Sequence, residues 1–126
     1  MKQRILLGTF SLSAGYADAY YLKSQQLRSV LAHSFADAFQ HADVLVCPTA
    51  PRGAYPLGRA AKSKVEMYAD DLFTVPASLA GLPAISLPTA SVGDGALPVG
   101  FQIIGRRFGE GDALRVARAF ELARDG

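Results

Sequence analysis

Two adjacent carboxylates, Asp70 and Asp71, stand in front of a run from Leu72 to Ser86 that carries no charge. An ionised carboxylate buried without a partner is strongly destabilising. Acids at the entrance to a core-bound segment therefore either sit on a solvated turn, or one of them faces a polar cleft that needs a negative charge. The same 126 residues hold few other groups with chemistry to offer. A serine nucleophile needs a base within reach and donors for the developing oxyanion, and no G-x-S-x-G elbow is present. His33 and His41 fall on one long helical segment and read as surface residues. Cys47 closes an apolar run and reads as a structural thiol. Asp70 and Asp71, with no patterned His or Glu nearby, are not a ligand set for a metal. Gly93-Asp94-Gly95 precedes a strand rather than a helix, so it is not a phosphate-binding loop.

The totals narrow the class. The length suits one domain or part of one, and half the residues are hydrophobic, which argues against general disorder. A net charge of +2 gives little reason to expect direct binding to a nucleic-acid backbone. Arg59 with Lys62-Ser63-Lys64 is the nearest approach to a basic cluster and reads as solvated surface. A single cysteine excludes an intrachain disulfide and multi-thiolate metal sites, and fits a reducing compartment. No apolar run approaches the ~20 residues of a membrane span. MKQRILLGTF lacks the long apolar region and the cleavage site of a signal peptide and reads as structural.

The elements that must hold these groups follow from periodicity. Residues 16–41 place Leu27, Val30, Leu31, Phe35, Ala38 and Phe39 on one face of a helix, with Ser11 or Ser13 available as its cap. Val44 to Pro48 reads as a buried strand, and residues 48–65 as a long loop. Pro76 serves as an early residue of a helix but not as an interior one. The spacing therefore predicts one short helix over 66–73 and another over 76–80. Thr74 would cap the second, and Gly81 would close it in a left-handed conformation before Pro83. Ala84 to Pro88 and Val99 to Ile104 read as antiparallel strands, joined through a Gly93-Asp94-Gly95 turn. Asp112 caps a last helix with Leu114, Ala117, Phe120 and Ala123 in register. A long helix feeding an apolar strand predicts an α/β arrangement. On these grounds alone the chain is part of a soluble α/β protein.

Several stretches carry a resemblance. They are Arg4-Ile5-Leu6-Leu7-Gly8-Thr9-Phe10, Gly15 to Gln25, Pro48-Thr49-Ala50-Pro51, Tyr68 to Ser86, and Leu97 to Gly105. In that order they resemble the C-terminal part of amidase-signature enzymes. The R-I-x-L-G-T and DAYY-x-K-x-Q forms resemble most the glutamine-hydrolysing branch, which releases ammonia within tRNA-dependent amidotransferases. The resemblance implies an α/β fold in which a mixed β-sheet lies between helices, with residues 1–126 forming the C-terminal part of one amidase domain. It also implies two substrate-binding residues. Asp71 matches the aspartate that holds the α-ammonium of glutamine, and Arg4 the arginine that holds its α-carboxylate. A zwitterion needs one anchor of each sign, and arginine offers a carboxylate a bidentate fork. Asp70 keeps the plain reading of a solvated acid on a turn.

The resemblance stops short of the chemistry. The family's catalytic serine, bridging serine and lysine lie in a Gly/Ser-rich signature upstream, which this sequence does not contain; Lys62-Ser63-Lys64 lacks its glycine framework. No catalytic residue is therefore expected here, and the isolated chain is expected to be inactive. The partners implied are glutamine, the B and C subunits of the amidotransferase and, through them, mischarged tRNA, with no membrane. No cofactor is expected on this chain, ATP and Mg²⁺ being used elsewhere in the complex. The location implied is cytoplasmic, or mitochondrial or plastid in an organellar protein. The alternatives are the C-terminal part of another amide hydrolase of this family and a non-catalytic remnant serving as an interaction module.

Overall fold

The computed structural model describes residues 2–13, 17–54, 58, 64–89 and 97–125. The chain opens with α1 (Lys2–Ser11), passes through a wide π-helical turn (Ala17–Leu22) and continues without a break into α2 (Lys23–Ala38). Strand β1 (Val44–Pro48) follows, then the short helices α3 (Lys64–Ala69) and α4 (Val75–Ala80). Strands β2 (Ala84–Pro88) and β3 (Gly100–Gly105) lead to the last helix, α5 (Glu110–Asp125). The class is α/β, as the sequence predicts. The strands form one sheet in the order β1-β3-β2, with β3 central and antiparallel to both neighbours.

Register divides the sheet into two chemically different faces. Val46 and Ile85 flank Ile103, and Pro48 and Leu87 flank Phe101. This face is apolar and meets α5. Leu87, Ile103, Ala113 and Ala117 make the core, with Val44, Ile85, Phe101 and Phe120 packed around it. Ile103 has 0% of its surface exposed, and the Phe101 and Phe120 rings stack with centroids 4.6 Å apart. On the other face, Cys47 and Ser86 flank Gln102. Strand β1, read from the sequence as buried, is thus only partly so, β2 alternates, and only β3 is covered on both sides.

Three sequence expectations need correction. The first concerns α5, whose buried face carries Ala113 and Ala117, whereas Leu114 is 57% exposed and Ala123 is exposed. The reason is distance. A Cβ built on Gly105 would stand 3.3 Å from the Ala113 Cβ and 2.9 Å from the Gly109 carbonyl oxygen, so the helix crosses the sheet where only small residues fit. Nor does Asp112 cap this helix. It lies in the first turn and joins Arg106 and Arg115 in ion pairs, while Arg106 also reaches Asp43.

The second correction is to α2. Leu31, Phe35, Ala38 and Phe39 are half-buried, but Leu27 and Val30 on the same stripe are each 63% exposed. Ser11 and Ser13 do not cap it: Ser11 ends α1, Ser13 Oγ donates to the Phe10 carbonyl, and α2 grows out of the π-helical turn instead. The third is to α3, which ends at Ala69 and gives way to a turn before α4. The Gly93-Asp94-Gly95 turn and residues 59–63 lie outside the described residues.

At its far end α5 is tied to the sheet by Arg124, whose Nη1 donates to the Pro88 carbonyl at 2.7 Å. The hydrogen bond from Arg124 holds the Asp125 carboxyl below its ordinary range.

The α5 face is testable. Ala117→Leu should cost about 1–3 kcal/mol by overpacking, while Leu114→Ala should stay within about 0.5 kcal/mol. Urea midpoints of the chain measure both, and the opposite ranking would reassign the face.

Candidate functional site

The residues between α3 and α4 form a continuous hydrogen-bonded turn. The Asp71 amide donates to the Tyr68 carbonyl at 3.2 Å, and Leu72 to Ala69 at 3.2 Å. The Asp71 carbonyl in turn accepts from the amides of Thr74 at 3.2 Å and Val75 at 3.1 Å. Thr74 holds the N-cap position of α4 but makes no side-chain cap, contrary to expectation. Its hydroxyl turns back to the Asp71 carbonyl at 3.4 Å. Pro76 falls in the first turn of α4, where its missing N–H costs nothing. Gly81 ends the helix in the left-handed region at φ 71°, and Leu82 donates back to the Ala77 carbonyl at 3.0 Å, a Schellman closure. Arg28 of α2 adds a cation at that end, its Nε donating to the Leu79 carbonyl at 2.5 Å.

This framework presents Asp71 to a cleft of about 420 Å³ lined by Tyr68, Asp71, Leu72, Val75 and Pro76. Asp71 is half-buried. Its carboxylate meets no hydrogen-bond donor or cation among the described residues. It is an anion with mostly apolar neighbours, where reduced solvation strengthens attraction to an incoming cation. Asp70 behaves differently from a freely solvated acid. It is half-buried, and Arg52 Nε stands 3.3 Å from its Oδ1. That oxygen is buried and accepts no hydrogen bond in the geometry shown. The turn thus splits the acid pair: Asp70 faces a counter-charge on the β1–α3 loop, and Asp71 faces the cleft.

Arg4 lies in α1, and its side chain falls outside the described residues. Its helix leads through the π-helical turn into α2, which packs on α4, the helix that follows Asp71. His33 and His41 are exposed, as the sequence suggests. His33 Nδ1 hydrogen-bonds the Ser29 carbonyl one turn back at 2.7 Å. Cys47 is half-buried and free. Among the described residues no three of His, Cys, Asp or Glu cluster as metal ligands would, and no helix is long and apolar enough to cross a membrane.

Two features escaped the reading of single residues. Gln102 interrupts an apolar strand and is only 4% exposed. A polar residue inside such a run signals a satisfied buried group, and its Nε2 donates to the Phe73 carbonyl at 2.8 Å and to Cys47 Sγ at 3.4 Å. Further along the same sheet face, the hydroxyls of Thr49 and Ser86 hydrogen-bond each other across the central strand. They meet over Gly100, where a Cβ would stand 2.5 Å from Thr49 Oγ1.

Comparison with known proteins fixes the family. The amidase family matches residues 1–114. The chain belongs to the amidase family. It is 51% identical over 125 residues to the A subunit of glutamyl-tRNA(Gln) amidotransferase from Parvibaculum lavamentivorans, a match that covers 99% of this chain and 25% of that protein. Among solved structures, the A subunit of glutamyl-tRNA(Gln) amidotransferase from Thermotoga maritima superposes with a TM-score of 0.75 at 42% identity, covering 94% of this chain and 25% of its own. A crystal structure of an amidase superposes with a TM-score of 0.67 at 30% identity, covering 88% of this chain and 25% of its own. The chain thus spans about a quarter of the length of the relatives it matches.

The Gly100 contact yields a direct expectation. Gly100→Ala should destabilise the chain by about 1–3 kcal/mol, because the added methyl forces the Thr49–Ser86 pair apart. An unchanged urea midpoint would show that the hydroxyls do not meet there.

Proposed function

We propose that this chain is the C-terminal quarter of the glutamine-hydrolysing A subunit of a glutamyl-tRNA(Gln) or aspartyl-tRNA(Asn) amidotransferase, and that it supplies the glutamine-binding side of the amidase site. One observation carries the reading: Asp71 is a half-buried carboxylate with no internal partner among the described residues, held on a rigid turn at the edge of a cleft. Identity near one half to a protein of that name supplies the family context. In this reading Asp71 receives the α-ammonium of glutamine and Arg4 its α-carboxylate. Together they aim the side-chain amide at a nucleophile contributed by the rest of the amidase. Fixing that amide in place lowers the barrier through orientation. ATP, Mg²⁺ and the aminoacyl-tRNA act at other sites of the complex, with the B and C subunits as partners, in the cytoplasm or an organelle.

Another amide hydrolase of the family is the second reading, and the 30% identical amidase keeps it in view. The higher identity to the Thermotoga maritima protein favours the amidotransferase. The exposed apolar surface bears on the remnant alternative. Ile5 and Leu6 of α1 and Leu27 and Val30 of α2 all face outward. A surface of this kind marks a missing contact, and in the proposed protein the other three-quarters of the amidase covers it.

In an intact amidotransferase with these residues, Asp71→Asn should raise the KM for glutamine about 10- to 100-fold, the value of a charge-assisted hydrogen bond. Activity with free ammonia should change little. Equal losses with both nitrogen donors would contradict the anchor role. Arg4→Lys should show the same bias, since an ammonium cannot reproduce the guanidinium fork. The chain by itself should release no ammonia from glutamine above the uncatalysed rate. Its α1 amides should exchange with solvent much faster than those of β3, and exchange in α1 as slow as in β3 would show that α1 needs no covering partner.

A further inference from the structure

We propose that Gln102 is a positioning residue for Asp71, an inference that rests on the glutamine-anchor reading above. Gln102 is the one buried polar side chain among the described residues. It sits in the middle of the central strand, between Cys47 and Ser86. Its amide nitrogen has two hydrogens and uses both: one on the Phe73 carbonyl at 2.8 Å, the other on Cys47 Sγ at 3.4 Å. The Phe73 carbonyl lies two residues beyond Asp71, inside a turn whose other hydrogen bonds are all local; its one other distant tie is the ion pair of Asp70 with Arg52 on the β1–α3 loop. Among the described residues no other hydrogen bond joins the 70–74 turn to the sheet. The turn is stiff within itself, but the Gln102 amide sets where that stiff unit stands relative to the sheet.

Energetics explain why an amide occupies this place. A part-buried carbonyl left without a donor is costly, so Gln102 favours the position of the turn in which Phe73 O meets the amide. The thiol of Cys47 is a weak acceptor, so it takes the second hydrogen without competing for the first. An apolar residue in place of Gln102 would fill the space but remove the turn's hydrogen bond to the sheet, widening the range of positions that its other ties allow. Asp71 would then meet the ammonium of a bound amino acid at the wrong distance.

The test uses an intact amidotransferase whose glutamine-hydrolysing chain carries this sequence as its matching quarter. Gln102→Met keeps the side chain's length and removes the donor. Its KM for glutamine should rise ~10-fold, the equivalent of one lost hydrogen bond, while kcat at saturating glutamine and activity with free ammonia stay near the parent values. A purely structural role would lower the melting temperature and depress both activities together, and that result overturns the proposal, as does an unchanged KM. Asp71→Asn measured alongside separates the two claims. If it leaves the glutamine KM unaltered, the anchor reading fails; if it raises KM while Gln102→Met does not, only the positioning role fails. A readout without any variant guards against misfolding: the Gln102 side-chain amide hydrogens should exchange more slowly when glutamine binds, and unchanged exchange would also overturn the proposal.

Discussion

Everything in this structure turns on the double burial of β3. Its residues Gln102 to Gly105 are all covered, which no other strand here achieves. One face is sealed by the small residues of α5 against Ile103, and this apolar contact supplies the main driving force for folding. The opposite face has to satisfy a buried amide, and does so on the turn that holds Asp71. Packing on one side of a strand and polar recognition on the other are thereby coupled.

The close approach of α5 illustrates the same coupling at the level of single atoms. Gly105 and Ala113 permit contact at a distance no larger pair would accept, and the Pro83 carbonyl is then free to accept from the Gly105 amide at 2.9 Å. That bond fixes the chain just after α4 beside the central strand. With Arg28 holding the last turn of α4 from α2, the segment from Asp71 to Pro83 is gripped at its start by Gln102, in its middle by Arg28 and at its end by Gly105. Three separate elements converge on it.

Local rules were legible in the sequence where local physics decides. Pro76 and Gly81 bracket α4 because a ring without an N–H suits a first turn and a residue without a Cβ suits φ 71°. Strand β2 falls on its predicted span, Ala84–Pro88. The α5 face was right at Ala117 and Phe120 and wrong at Leu114 and Ala123, because periodicity counts apolar residues by size, whereas the sheet selects them by clearance; Leu114 is more hydrophobic than Ala113 but too large for the gap. Leu27 and Val30 follow the helical stripe of α2 and yet remain exposed, since periodicity identifies a face and not its covering partner. Type and place drew attention to the acid pair, and the family resemblance singled out Asp71 within it, whereas Gln102 acquires its meaning only through a carbonyl 29 residues away.

The proposed function is recognition of an amino acid by opposite charges, with Asp71 as the anionic half. The most direct measurement is a crystal structure of an intact amidase with this sequence and glutamine bound. The account predicts the α-ammonium within hydrogen-bonding distance of the Asp71 carboxylate, and the α-carboxylate on the Arg4 guanidinium. Glutamine bound with its ammonium held elsewhere, and Asp71 turned to a protein partner, would contradict it.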